Sequence, residues 1–240
     1  ILLTVTGVQT CALPIYLFNK DLDKFQQING LNIEKSHIRS ISEDSHGKIW
    51  AASLGHGIFK YNPNNKELRN YRQSQNVGLN SDYSTKILSD SLGNIWCLAS
   101  GSYLHRYNHD SDTFEKILIK DKKNGMVETN AFTMCLDWKG DLWISGWDCG
   151  IFHYSIEESC FKNYLTDRGR PILQGRIHTI KAFEPNKIYI GSDQGLTLFD
   201  PSTQKYITTS YNRNNSSSLS DDFVYDILKD NEGGDRKSVV

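Results

Sequence analysis

Aromatic and charged side chains suited to binding a polar ligand occur together in the short loops of this sequence. Trp147 stands next to Asp148, and such a pair suits a sugar, whose ring packs on the aromatic face while its hydroxyls bond the carboxylate. The predicted ligand-binding residues of these loops are Trp147, Asp148, Tyr103, His56, Arg176 and Arg170, with Tyr83 and Arg168 in the same kind of loop. A packing role between neighbouring structural units is the alternative for Trp147.

The other groups that could do chemistry fit no metal, cofactor or catalytic pattern. The segment Asp110–Glu115 has acidic residues spaced as in a calcium loop, but such a loop needs glycine at its sixth position and glutamate at its twelfth. Those positions hold Glu115 and Asp121. His105 and His109 are four residues apart on a predicted strand and turn, where that spacing does not bring two side chains to one metal. We therefore predict no metal site, no cofactor and no catalytic residue.

Composition narrows the class of protein. The 240 residues carry 27 Lys and Arg against 28 Asp and Glu, for a net charge of −1, which disfavours a nucleic-acid partner because such a protein needs a basic surface. A mean hydropathy of −0.51 excludes a protein with many membrane spans. Five cysteines, an odd number, form no disulfide framework. Cys135 and Cys149 could approach each other in one structural unit, although two free thiols are the favoured interpretation.

A repeat of 46 to 47 residues positions these loops. Three copies align without gaps on an Asp-x-x-Gly-x-x-Trp pattern, which begins at Asp44, Asp90 and Asp137 and ends at Trp50, Trp96 and Trp143. A fourth copy keeps only an aromatic residue, Tyr189, with Phe183 and Asn186 where Asp and Gly would stand. Each copy contains four short aromatic and β-branched runs separated by Gly, Asn, Asp or Pro, which is typical of strands and turns.

Four short strands in each unit predict an all-β fold, a β-propeller fragment of four-stranded antiparallel blades. Complete blades are predicted at residues 36–71, 84–117, 131–164 and 177–207, the end of a preceding blade at 16–28, and the start of a following one at 222–233. In such a blade the links between its second and third strands lie at the same end as the crossings to the next blade. The predicted ligand-binding residues all belong to this end. The Asp-x-x-Gly turns belong to the opposite end and are interpreted as scaffold, with Trp packed between blades.

The two ends of the sequence do not fit the repeat. Residues 1–15, ILLTVTGVQTCALPI, lack the basic segment of a signal peptide and are interrupted by polar residues and a proline. They resemble translated sequencing-adapter read-through, as do residues 234–240. We therefore expect both segments to be foreign to the fold.

The repeat resembles the propeller repeats of two-component regulators, as in the periplasmic sensor region of Bacteroidetes-type hybrid histidine kinases. The matching residues are Ile-x-x-Asp-x-x-Gly-x-Ile/Leu-Trp, followed by Gly-Ile/Leu-Phe-x-Tyr as at Gly57–Tyr61 and Gly150–Tyr154. The inter-blade stretch Asn214–Tyr225 is also similar to that family. Tyr103 departs from the pattern, because glycine stands there in the first and third copies.

The resemblance implies a periplasmic, ligand-sensing segment of an inner-membrane sensor, with an oligosaccharide as the ligand. Its partners would be the remaining blades, the C-terminal sensor and kinase parts of the parent chain, and a second copy in a homodimer. The segment itself would not be an enzyme or contact nucleic acid. A propeller enzyme such as a glycosidase or lyase, or a scaffold for protein–protein interaction, is the alternative. A sialidase would need arginines around a central axis, whereas Arg168, Arg170 and Arg176 lie in one loop.

Overall fold

The computed structural model describes residues 37–120, 129–164 and 175–229 with their side chains, together with Leu173 and the backbone of several short strands elsewhere. Residues 1–15 and Arg168 lie outside the described residues. Within the described part the chain is built of strands, and its one helical segment is a 3-10 turn at Gln73–Gln75. No described helix is long and apolar enough to cross a membrane.

Four sheets of four strands follow one another along the chain, and each is an antiparallel meander in sequence order. A hairpin of β1 (Tyr16–Asn19) and β2 (Lys24–Gln27) precedes them. Blade 1 consists of β3 (His37–Glu43), β4 (Ile49–Leu54), β5 (Ile58–Asn62) and β6 (Glu67–Tyr71). Blade 2 consists of β7 (Ser84–Ser89), β8 (Ile95–Ala99), β9 (Tyr103–Asn108) and β10 (Thr113–Leu118).

The second half of the chain repeats this arrangement. A hairpin of two short strands, β11 (Lys120–Asp121) and β12 (Gly125–Met126), precedes blade 3. Blade 3 consists of β13 (Asn130–Leu136), β14 (Leu142–Trp147), β15 (Ile151–Ser155) and β16 (Cys160–Tyr164). A second small hairpin, β17 (Thr166–Asp167) and β18 (Arg170–Pro171), leads to blade 4, which consists of β19 (Ile177–Glu184), β20 (Lys187–Ser192), β21 (Gly195–Asp200) and β22 (Lys205–Thr209). A final hairpin pairs β23 (Val224–Lys229) with β24 (Asp235–Val239).

The chain forms two compact units. Unit 1 comprises residues 1–99 and 105–115 and so holds blade 1 and most of blade 2, whereas unit 2 comprises residues 100–104 and 116–240 and holds blades 3 and 4. The four described cysteines form no disulfide with one another, namely Cys97, Cys135, Cys149 and Cys160. Burial raises the pKa of the Cys149 thiol to about 12.

The Asp-x-x-Gly turn explains why the first two strands of a blade pair as they do. In blade 1, Asp44 Oδ1 accepts the backbone N–H groups of His46 and Lys48, both at 2.9 Å, and Gly47 adopts a φ of +73° that favours glycine. The other carboxylate oxygen accepts the indole N–H of Trp50 at 2.9 Å. Asp90 with Trp96 and Asp137 with Trp143 repeat this bond at 2.9 and 3.0 Å. Each Asp therefore holds both the turn and the Trp.

The held tryptophans fill the space between neighbouring blades inside each unit. Trp50 is fully buried and contacts Tyr107 of blade 2, with the ring centroids 4.7 Å apart. In unit 2, Trp143 packs in one apolar cluster with Phe199 and four isoleucines of blade 4, namely Ile177, Ile180, Ile188 and Ile190. The predicted packing role of the repeated tryptophans is therefore seen at Trp50 and Trp143.

Every first strand carries a β-bulge at the same place in the repeat, as does β23. The pairing of the first and second strands skips one residue near the start of each first strand, which leaves that residue unpaired. The skipped residues are Arg39, Thr85, Phe132, His178 and Tyr225. A bulge bends the strand and re-aims the extra side chain, so these five positions form a second repeated set, distinct from the core.

The fourth copy and the C-terminal strand follow the same register. Asn186 takes a φ of +57° where the other copies have glycine, which asparagine tolerates better than most residues. Arg236 of β24 is paired with Leu228 as Tyr189 is paired with Lys181. The backbone of residues 235–239 therefore occupies the place of a second strand, and the foreign origin of residues 234–240 stays a prediction.

Candidate ligand-binding site

In unit 2 the bulged residues are two aromatic side chains and a histidine, and they begin the candidate site. The His178 ring lies 4.6 Å from the Tyr225 ring. The rings of Phe223 and Tyr225 are stacked, with an angle of 21° between their planes and the centroids 6.3 Å apart. Phe223 and Tyr225 are 45% and 42% exposed. Two aromatic faces are thus open to solvent beside the histidine.

Arg176 lies directly before β19 and contributes the positive charge of the site. Its guanidinium carbon lies 4.8 Å from the centre of the Phe132 ring, which is within the range of a cation–π contact. The backbone N–H of Arg176 donates to Asp193 Oδ2 at 3.2 Å. The side-chain Nε is buried and has no hydrogen-bond partner within the described part of the chain.

Asp193 provides the acceptor of the site, and a glycine lets it approach. Gly175 has a φ of +83°, and a Cβ placed there would lie 2.6 Å from Asp193 Oδ1. That oxygen is buried and, among the described residues, no donor reaches it. A buried acceptor without a donor is costly, so this oxygen is an unsatisfied group of the candidate site.

His178 is part-buried, and its Nε2 has no hydrogen-bond partner among the described residues. Burial and the charge of Arg176 lower the pKa of His178 below its ordinary value, against a smaller opposing effect of Asp193. The imidazole is therefore mostly neutral at pH 7, and Nε2 can donate or accept depending on the tautomer. We call Phe132, Arg176, His178, Asp193, Phe223 and Tyr225 the Arg176 cluster.

Two of the predicted ligand-binding residues adjoin this cluster. Trp147 ends β14 and is paired with Asn130 on one side and Arg176 on the other, so the three side chains form a row on one face. Trp147 is 55% exposed, which does not fit the alternative of a buried packing residue. Asp148 has one carboxylate oxygen occupied by the backbone N–H of Gly175 at 2.6 Å, so this residue holds the loop before Arg176.

The other three predicted residues lie elsewhere. His56 belongs to the β4–β5 link of unit 1, where its carbonyl oxygen accepts the Asn70 side chain at 2.8 Å. Tyr103 begins β9 and is part-buried. Arg170 is the first residue of the two-residue strand β18 and is paired with Asp167. The side chain of Arg170 lies outside the described part of the structure. The structure therefore brings together Trp147, Asp148 and Arg176 from the six.

Sequence reasoning did not select the rest of the cluster, although one signal was available. Phe132, His178 and Tyr225 recur at spacings of 46 and 47 residues, the same period as the tryptophans. The residues two positions before the bulged ones recur in the same way, namely Tyr83, Asn130, Arg176 and Phe223. Aligning the repeat on these positions as well as on Trp would have marked the cluster.

A group at the opposite end of blade 3 has the residue types of a metal site. Asp137, Asp141 and His153 lie close together, with His153 Nε2 3.3 Å from Asp141 Oδ2 and 3.8 Å from Asp137 Oδ2. The carboxylates already have donors: Trp143 binds Asp137 at 3.0 Å, and the backbone N–H of Ile156 binds Asp141 at 2.9 Å. These bonds account for the group as part of the turn.

Solved structures show which known proteins share this fold. The extracellular domain of the hybrid two-component system BT4673 of B. thetaiotaomicron matches with a TM-score of 0.77 and 17% identity, over 93% of this chain and 28% of that one. The corresponding domain of system BT3049 from the same organism matches with a TM-score of 0.66 and 19% identity, over 84% and 27%. This chain thus spans less than a third of either. No family model matches the sequence, and no curated protein does.

An enzyme shares the fold as well. Virginiamycin B lyase of Staphylococcus aureus matches with a TM-score of 0.62 and 12% identity, over 84% of this chain and 62% of that one. Identities this low show the fold alone, and a propeller supports many unrelated functions. At the level of fold the predicted resemblance is confirmed: the chain is a run of four-stranded β-propeller blades, built like the extracellular domains of Bacteroides hybrid two-component systems.

Proposed function

We propose that the chain is a ligand-sensing segment of the periplasmic domain of a hybrid two-component sensor histidine kinase, and that the ligand is an oligosaccharide. The likeness to the BT4673 extracellular domain over 93% of the chain carries the sensing role. The same likeness supports a periplasmic location. The kinase would belong to the parent protein, so this segment is not an enzyme.

The Arg176 cluster supports an oligosaccharide as the ligand. A sugar ring offers C–H faces that pack on exposed aromatic rings, and here Phe223, Tyr225 and Trp147 are each more than 40% exposed. Its hydroxyls need donors and acceptors, and Arg176, His178 and Asp193 each have a buried polar atom without a partner among the described residues. Apolar faces beside unsatisfied polar atoms fit a sugar better than a purely apolar ligand.

The sensing role also implies partners. We propose that the ligand-bound segment contacts the remaining blades and the C-terminal sensor and kinase parts of its parent chain. We also propose that the parent protein is a homodimer. Binding would transmit a signal only if the ligand favours one arrangement of these parts over another.

Titration calorimetry of the full chain with gluco-, xylo-, manno- and galacto-oligosaccharides and with uronate oligosaccharides tests the proposal. We expect at least one glycan to bind, and Tyr225→Ala to weaken that binding about tenfold through loss of a stacking face. Tyr206→Ala is the matched control, because Tyr206 is also 42% exposed but lies on β22. Failure of every glycan to bind would refute the oligosaccharide proposal. Cleavage of the bound glycan over hours would favour the lyase or glycosidase alternative instead.

A further inference from the structure

We propose that the Arg176 cluster binds a carboxylate, so that the ligand is an acidic oligosaccharide containing a uronic acid. The inference rests on the proposed function, since it names the class of oligosaccharide that the same site would take.

The first argument is that no acidic side chain among the described residues pairs with Arg176. Two other arginines of the described chain form forked pairs: Arg72 donates to Asp82 at 3.1 and 3.2 Å, and Arg106 donates to Glu115 at 2.8 and 3.2 Å. No ion pair within the described residues includes the guanidinium of Arg176. A part-buried guanidinium with an unsatisfied Nε gains most from a carboxylate, which accepts two parallel bonds.

Two carboxylates of the described chain bind the backbone next to the Arg176 side chain. Asp148 accepts the Gly175 N–H at 2.6 Å. Asp193 binds the backbone N–H of Arg176 rather than its side chain. Each of these two acids thus binds a backbone N–H through one oxygen, and neither forms an ion pair with the Arg176 guanidinium in the described structure.

The surroundings of Arg176 fit the rest of a uronic acid. The centre of the Phe132 ring lies 4.8 Å from the guanidinium carbon, a cation–π contact that supports the group from one side. Asp193 Oδ1 can accept a sugar hydroxyl and His178 Nε2 can bond another. Tyr225 and Phe223 provide the stacking faces beside them. The cluster thus has one positive group for the carboxylate and neutral or acceptor groups for the hydroxyls.

Matched pairs of ligands test this inference on the full chain. The probes are trimers of galacturonate, glucuronate and mannuronate, each compared with its methyl ester, in which the carboxylate charge is removed and the sugar retained. We expect at least one acid to bind about tenfold more tightly than its ester. Arg176→Gln should abolish this preference, because the amide carries no charge to pair with the carboxylate. Arg106→Gln removes the same charge from an exposed pair with Glu115 and should leave the preference intact.

The outcomes separate the two proposals. A neutral oligosaccharide that binds at Tyr225, together with no preference of any acid over its ester, would leave the sensing proposal standing and overturn the carboxylate site. A preference for the acid that remains in Arg176→Gln would also overturn the carboxylate site, because the ligand carboxylate would then bind elsewhere. Absence of binding by all neutral and acidic probes would refute both.

Discussion

At the scale of single residues, the repeated aspartate links a turn to a tryptophan. Asp44 accepts two backbone N–H groups on one oxygen and the Trp50 indole on the other. Burial alone would raise the pKa of the Asp44 carboxyl, but the hydrogen bonds from Trp50 and the backbone outweigh it and hold the pKa below its ordinary value. The pKa of Asp137 is lowered against burial in the same way, by His153, Trp143 and backbone N–H groups.

We predict that acid destabilises the protein through these carboxylates. A folded-state pKa below the unfolded value means that the unfolded chain binds more protons in acid, so the stabilisation is present at neutral pH and is lost as pH falls from about 5 through the folded pKa. Asp44→Asn should cost about 1–3 kcal/mol at pH 7, because an amide cannot accept both the turn and the indole. Its stability should also fall less steeply in acid. Urea unfolding from pH 7 to 3 measures both effects.

Asp110→Asn is the control for that experiment. Asp110 lies exposed in the β9–β10 turn, so the substitution changes the net charge equally without removing such a bond, and its unfolding should follow the unmodified chain. Equal stability of Asp44→Asn and Asp110→Asn at pH 7 would show that the Asp44 bonds contribute nothing net.

Sequence patterns at this scale predicted the turns better than the site. Asp and Gly at fixed spacing specify a turn through local geometry alone, and the structure has that turn at Asp44, Asp90 and Asp137. The role of Asp148 could not be read locally, because its carboxylate binds Gly175, 27 residues away. Its residue type suggested a ligand-binding group, whereas its contact is with the backbone.

At the scale of elements, the direction in which the bulged side chains point depends on strand register. The bulges at Phe132, His178 and Tyr225 arise where the first strand has one residue more than its partner uses. Register is set jointly by two strands and the turn between them, so no single run of sequence shows it. This is why the four-stranded blades could be predicted from single runs of sequence, whereas the aromatic row of the Arg176 cluster is visible only when the repeats are aligned on the bulged positions.

The link between the second and third strands depends on a glycine at close contact, and we predict its sensitivity. Gly57 has a φ of +72°, and a Cβ there would lie 2.1 Å from the carbonyl oxygen of Tyr71. Gly57→Ala should therefore cost about 2–4 kcal/mol, because both the backbone angle and the β5–β6 packing must change. Thermal and urea unfolding of the full chain measure the loss.

Gly140→Ala separates the two causes. Gly140 has a similar φ of +88°, but nothing lies within 4 Å of the Cβ position, so the substitution should cost about 1–2 kcal/mol from the backbone angle alone. A loss for Gly57→Ala no larger than for Gly140→Ala would mean that the contact with Tyr71 relaxes without cost.

At the scale of the whole molecule, most of the fold follows from one repeated pattern. The tryptophans at 50, 96 and 143 fixed the period, and the period with its strand chemistry predicted four blades and the incomplete ones beside them. The fold prediction is confirmed. It could be made from the sequence because each blade needs only local turns and one apolar face toward its neighbour. Function follows less directly, since the same architecture occurs in sensor domains and in a lyase.

The repeat predicts which blades are destabilised when a substitution removes the packing at one interface between blades. Trp50 is fully buried and packs against Tyr71, Tyr107 and Phe114 within unit 1, so Trp50→Ala should cost about 3–5 kcal/mol. Because each blade is stabilised mainly by its neighbours, amide hydrogen exchange should speed up in blades 1 and 2 and change little in blade 4. Trp138→Ala, at a tryptophan that is 54% exposed, should leave exchange unchanged everywhere. If amide hydrogen exchange in Trp50→Ala instead speeds up equally in all four blades, the chain unfolds as one cooperative unit, and the loss of one inter-blade contact destabilises every blade.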